Sequence, residues 1–293
     1  MAALADYTRA SEQELMQAER EIMAKYQGGV SWIMVAWGIG NCLVWLALWP
    51  LVLTGILPLW AGFIIATVNT TIAYLPSHEA QHDIYARPGE KLRWLNQFVG
   101  HFSLIPLAAS FYALRETHMD HHKYANDPAR DPDYPTAAPS AWAAVKKSIA
   151  FYQPGNKDKK RYGEVLAAQN TPAAHKAILH SILWQLFYYG FLAAMAWSGF
   201  ALEAALLWWL PRQIGYAYIR FYLSWMPHHP AQQTGRYNDT RAFKSKIGNI
   251  GSLGMQYHIL HHLHPRIPLP RHARLYREIK PVLEARRCEL GGL

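Results

Sequence analysis

Fifteen histidines fall in this 293-residue chain, and ten of them gather in four short groups. The groups are SHEAQHD (His78, His82), HMDHH (His118, His121, His122), MPHHP (His228, His229) and HILHH (His258, His261, His262). On a helix, positions i, i+3 and i+4 share a face, so H-x-x-x-H aims two imidazoles at one point and H-x-x-H-H aims three. HEAQH also fits the H-E-x-x-H of a zinc metalloprotease, with Glu79 as general base. That reading needs two His, one further ligand and the Glu, and leaves most of the clustered His without a task. Glu79 and His82 form one Glu-x-x-His, as in carboxylate-bridged di-iron bundles, but such a site needs a second copy that the sequence lacks.

So many imidazoles exceed what one ion can use, and they suit two metal ions with nitrogen ligands. Zinc, copper, iron and nickel all accept imidazole, so ligand type alone does not select the metal. Neither cysteine, Cys42 or Cys288, lies near the groups, which excludes thiolate ligation and a fold held by disulfides. Glu79, Asp83, Asp120, Asn126, Asp127, Asp131 and Asp133 are candidates to hold the outer ring nitrogens of metal-bound His. Asp127, Asp131 and Asp133 can equally be turn residues. His264 follows the last group closely enough for a supporting role, whereas His101, His175, His180 and His272 lack cluster spacing.

The elements that must position these groups are apolar helices. No Asp, Glu, Lys or Arg occurs from Ser31 to His78, or from Ala177 to Leu202. A spanning helix needs about 20 apolar residues, so the first gap accommodates two spans and the second reaches into two more. The pattern predicts an all-α integral membrane protein, a single domain over 1–293, with two hairpins of spans at about 31–53, 57–76, 177–198 and 201–224. The polar start MAALADYTRASEQELMQAEREIMAKYQ is a poor signal peptide. Arg212 and Arg220 in the fourth span belong near its inner end or inside the bundle. Residues 94–114 are long enough to cross, but Asn96, Gly100, His101 and Pro106 interrupt them and basic residues flank both ends. They read as an interfacial or re-entrant segment.

The net charge of +9 is concentrated in residues 87–176 and 212–287. By the positive-inside tendency, residues 1–30, 77–176 and 225–293 are then cytoplasmic, with both termini and a helical cap carrying the His-rich dimetal site. With 94–114 not crossing, all four His groups lie on one side and can converge. The basic surface suits anionic lipid headgroups or an acidic partner, and no motif for nucleic acid accompanies it. The KDKKR run within residues 153–163 reads as a solvated loop.

The order H-x-x-x-H, H-x-x-H-H, H-x-x-H-H around four spans resembles the membrane fatty acid desaturase superfamily over roughly residues 57–280. HMDHHKYANDPARDPDY resembles its second histidine box, and HILHHLHPRIPLPRH its third. The resemblance implies two Fe ions, O2 as co-substrate and attack on unactivated C–H bonds of a lipid, most simply as a fatty acyl desaturase. Electrons would come from a separate ferredoxin-, rubredoxin- or cytochrome b5-like carrier. MPHHP followed by RYNDTRAF also resembles the carotenoid hydroxylase and ketolase branch, which points to a carotenoid or terpenoid substrate as the alternative. By that resemblance His228 is the ninth ligand beside His78, His82, His118, His121, His122, His258, His261 and His262, with the adjacent His229 as the alternative. An intramembrane zinc peptidase is the remote alternative, and ion transport fits less well because the His groups sit at one end of the spans.

Overall fold

Every regular element is helical in the computed structural model, which describes residues 7–151, 153, 155–244, 251–291 and 293. Helix α1 (Glu12–Ala24) starts on a capping box, in which the Ser11 hydroxyl accepts from the Glu14 amide while the Glu14 carboxylate accepts from the Ser11 amide. Two long apolar helices follow, α2 (Trp32–Leu53) and α3 (Leu59–Ile72). Their facing asparagines lock together: Asn41 Nδ2 donates to the Asn69 carbonyl at 3.0 Å and Asn69 Nδ2 to the Asn41 carbonyl at 3.3 Å. Away from water, such interhelical amide pairs fix register. Pro76 cannot donate to Ile72, and α3 ends at Ile72 for that reason; α4 (Tyr74–Gln81) resumes the helix one residue later.

The segment expected to lie at the interface is a bent pair. Helix α5 (Arg93–Phe102) leads through a 3₁₀ turn at Ile105–Leu107 and a left-handed Ala108 into α6 (Phe111–Tyr124), and the two arms meet at 100°. Ser110 caps α6, its hydroxyl accepting from the Ala113 amide. Helices α7 (Ala141–Phe151) and α8 (Arg161–Gln169) then lead to α9 (Pro172–Trp197). Among the described residues, three stretches are long and apolar enough to cross a membrane: Trp32–Leu53, Leu59–Gln81 and Pro172–Trp197, or four if the bent pair counts as one. Their outer faces carry Ile33, Trp60, Leu186 and Trp197, the last 94% exposed. An apolar exterior on that scale is what a lipid phase covers.

The run expected as a fourth span is continuous helix over 201–228, but not regular helix. It comprises α10 (Ala201–Ala204), a π-helical stretch at Ala205–Trp209, α11 (Leu210–Tyr218), a second π-helical stretch at Ile219–Trp225, and α12 (Met226–His228). Pro211 and Pro227 explain both widenings, because each withdraws its N–H from the carbonyl four residues earlier, Leu207 and Leu223. The indole of Trp45 takes up the freed Leu207 carbonyl at 3.2 Å. α11 lies so close to α3 that a Cβ on Gly215 would stand 2.9 Å from the Thr70 carbonyl carbon and oxygen. Both arginines of this run, Arg212 and Arg220, are buried within the bundle.

A second layer forms where α1 meets the C-terminal helices α13 (His258–Leu263) and α14 (His272–Ala285). Leu15 and Met23 of α1 pack with Ile259, Leu260, Leu275 and Ile279. This layer holds the HILHH group against the ends of the spans.

Candidate metal centre

Each histidine group sits at or near a helix end that the preceding features dictate. His78 lies on α4 after the Pro76 break, and His82 caps its last turn. His118, His121 and His122 occupy the last turns of α6, and His228 closes the irregular 201–228 run. His258, His261 and His262 lie on short α13.

These nine rings form two adjoining nests. In the first, His118 Nε2 lies 2.9 Å from His82 Nε2, 3.1 Å from His122 Nε2 and 3.4 Å from His261 Nε2, while His122 Nε2 is 2.9 Å from His261 Nε2. The His78 ring closes this nest, with one ring nitrogen within 4.8 Å of those of His82, His118 and His261. The second nest joins His121, His228, His258 and His262, again with one nitrogen from each within 4.8 Å of the others, and His121 Nε2 faces His228 Nε2 at 3.1 Å. The rings of His122 and His262 stack at 4.2 Å and form the wall between the nests. The two H-x-x-H-H groups divide in opposite senses. The 118/122 pair serves the first nest and His121 the second, whereas the 258/262 pair serves the second and His261 the first.

Donor chemistry says what such nests can hold. A neutral imidazole has one N–H and one lone pair, so four Nε2 atoms facing one another cannot all be satisfied by hydrogen bonds. In the second nest both ring nitrogens of His258 and the Nε2 of His262 are buried with no hydrogen-bond partner. A cation about 2.1 Å from each nitrogen leaves neighbouring ligand atoms about 3–3.4 Å apart, which matches the contacting Nε2 pairs at 2.9, 3.1 and 3.4 Å. Burial first, and neighbouring imidazoles second, hold His258, His261 and His262 well below the ordinary His range. They are therefore neutral near pH 7, which is the form that binds metal. The residues fit two metal ions.

The outer ring nitrogens are held selectively. His121 Nδ1 lies 2.9 Å from Asp131 Oδ1. Asp131 is itself fixed by the amides of Asp133 and Asn126, each at 2.8 Å. The Asn126 side chain donates to the carbonyls of Gln233 at 2.7 Å and Asp239 at 2.8 Å. His228 Nδ1 meets that same Asp239 carbonyl at 3.1 Å. One web therefore ties the loop after α6 to the loop after α12. Burial raises the Asp239 carboxyl to about 6. Spacing to the His groups could not single out Asp239, because a backbone carbonyl does the work, although it lies in the RYNDTR stretch.

The other candidates lie elsewhere. Asp83 is taken up by Arg93 and Arg115, the latter donating to both carboxylate oxygens at 2.6 and 2.7 Å. Asp120 accepts from Gln169 at 2.6 Å, and Asp127 caps its own turn at Ala129 and Arg130. Glu79 accepts from the Leu269 amide at 2.7 Å, which ties α4 to the turn before α14. Asp133 accepts from the Tyr162 and Ser224 hydroxyls. The His229 ring packs on Trp225, with centroids 4.7 Å apart. His264 bonds Glu19 of α1 at 2.8 Å.

A cavity of about 440 Å³ borders the nests, lined by His78, His118, His121 and His258 and also by Gln185 and Tyr189 of α9. That volume suits a lipid-sized or drug-sized ligand.

Comparison with known proteins fits this geometry. Over 103 residues the chain is 31% identical to the sn-1 oleoyl-lipid 12-desaturase of Picosynechococcus sp., covering 35% of this chain and 25% of that protein. Over 89 residues it is 32% identical to the protein of the same name from Anabaena variabilis, covering 30% and 25%. Each match spans about a quarter of the relative's length. The sequence profile of the family described as fatty acid desaturase matches residues 54–290, a range that contains all nine clustered rings and the cavity, and the chain belongs to that family.

Proposed function

We propose that the chain is an O2-dependent di-iron oxidoreductase acting on C–H bonds of a lipid, as a fatty acyl desaturase. The observation that supports it is the pair of all-nitrogen nests bordering one cavity. His78, His82, His118, His122 and His261 would hold one iron, and His121, His228, His258 and His262 the other. The bound metals would supply the activation of O2. Desaturation balances as CH2–CH2 + O2 + 2 e⁻ + 2 H⁺ → CH=CH + 2 H2O, so two electrons come from outside, here from a separate carrier. The relatives' name, oleoyl-lipid 12-desaturase, supports an acyl chain as the substrate class.

The protein's own part is positioning. Leu114, Leu223 and Met255 line the cavity beside the nests and would hold a methylene against them while displacing water. Asp131 and the Asp239 carbonyl orient His121 and His228. Four spans in two hairpins, with the bent pair re-entrant and both termini and the nests on the cytoplasmic side, are the arrangement that the charge distribution supports.

The test is expression of the native chain and of His118→Ala and His261→Ala in a host containing acyl lipids and carotenoids, with both profiled by mass spectrometry. New acyl double bonds that vanish in both variants are expected. Oxygen gained on a carotenoid would move the substrate to the terpenoids, and no change in either class would refute the reading.

A further inference from the structure

The cavity is not lined as a hydrocarbon channel would be. Arg212, Gln213, Arg220 and Gln185 all face it. Arg212 serves the fold: its Nε donates to the Leu107 carbonyl at 2.7 Å, and its guanidinium lies over the rings of Tyr188 and Tyr216. It secures the turn at which the bent pair folds back.

Arg220 differs. It is only 9% exposed, and its Nε and Nη2 are buried with no hydrogen-bond acceptor. Its guanidinium carbon lies 3.7 Å from the Phe151 ring centroid, a contact that leaves the N–H groups unsatisfied. The carboxylate sharing that cavity wall, Asp133, is engaged by Tyr162 and Ser224. Arg220 lies in the second π-helical stretch, Ile219–Trp225, eight positions before His228. Pro227 accounts for the widening, and such widened turns are frequent at functional sites. A buried cation with unsatisfied N–H donors is costly, and within a membrane bundle it marks a place that another group completes.

We propose that Arg220 anchors an oxyanion, a carboxylate or a phosphate ester, at the head of a single-chain amphiphile whose tail runs along the cavity to the His nests. The tail's fate rests on the C–H oxidation proposed above; the anion site does not. A planar guanidinium with free N–H donors suits either oxyanion, and binding it supplies the acceptors that Nε and Nη2 lack.

The test is equilibrium binding of radiolabelled octadecanoate, octadecyl phosphate and octadecanol to the purified metal-loaded chain in an uncharged detergent. Native protein should bind at least one anion about tenfold or more tighter than the alcohol, the scale of a charged hydrogen bond. Preference for the carboxylate alone would identify a free acid as the source, preference for the phosphate alone a phosphate ester, and preference for both a site that takes either oxyanion. Arg220→Gln should erase the preference and Arg220→Lys should keep most of it, with metal content unchanged in each. Equal binding of anions and alcohol by native protein, which needs no variant to read, would overturn the proposal. So would a preference that survives in Arg220→Gln, and a purely structural Arg220 would lower thermal stability without moving the preference. Anion preference without C–H oxidation would sink the enzymatic reading alone, and oxidation without preference would sink the anion site alone.

Discussion

Asp131→Asn tests whether the two nests are separate sites. The carboxylate accepts from three donors, two of them buried: His121 Nδ1 at 2.9 Å and the half-buried Asp133 amide at 2.8 Å on Oδ1, and the Asn126 amide at 2.8 Å on Oδ2. Asparagine has the same shape but one acceptor oxygen. If that oxygen serves His121 and Asp133, the new NH2 faces the Asn126 N–H; turned over, it faces His121. Either way one buried donor loses its acceptor, at a cost of about 1–3 kcal/mol. His121 also loses the charge that orients it, and changes of that kind weaken metal binding about 10- to 100-fold, or about 1.4–2.8 kcal/mol. Only the nest of His121, His228, His258 and His262 should feel it. The assay is metal content per chain after dialysis against a graded chelator. A chelator concentration is expected at which native protein keeps two metals and Asp131→Asn keeps one. Asp127→Asn is the control, because Asp127 caps only its own turn and should track the native curve. Simultaneous loss of both metals in Asp131→Asn, or a curve identical to native, would refute the division into nests.

Three further outcomes follow from the same contacts. His228→Ala should lower metal content by one per chain while His229→Ala leaves it unchanged, since one ring faces His121 and the other packs on Trp225; equal loss in both would reverse that assignment. Gly215→Ala places a Cβ 2.9 Å from Thr70 backbone atoms and should cost about 1–3 kcal/mol by forcing α11 from α3, read as a lower Tm in detergent; an unchanged Tm would show that the helices part freely. Glu19 is 4% exposed; burial raises its carboxyl, but His264, Tyr237 and Arg236 outweigh that and hold it at about 2. A depressed folded-state pKa contributes stability above the ordinary carboxyl value of about 4.5, lost as pH falls toward about 2, and worth at most about 3 kcal/mol. Glu19→Gln should therefore be less stable than native at pH 7, with the gap closing between about pH 4.5 and 2; a constant gap would refute the linkage.

Much of this was legible in the sequence because it is local or periodic. The uncharged stretches mark helices that must leave water, since their length and composition alone set that requirement. The i, i+3, i+4 spacing puts imidazoles on shared helix faces, as α6 and α13 do. What spacing could not decide is which ring of each H-x-x-H-H faces which ion, because that depends on how α6 and α13 cross in space. Proximity in sequence misled for the carboxylates as well: Asp83 sits beside His82 yet answers Arg93 and Arg115, while Asp131, nine residues past His122, returns to His121. The π-helical stretches beside Pro211 and Pro227 were not read from the sequence, because what takes up a displaced carbonyl, as the Trp45 indole does for Leu207, is set by the packed bundle. Arg220 is the plainest case. Its charge is written in the sequence, but whether that charge meets a carboxylate, lipid headgroups or an empty cavity is a property of the assembled wall, where burial removes water and the neighbours decide what remains.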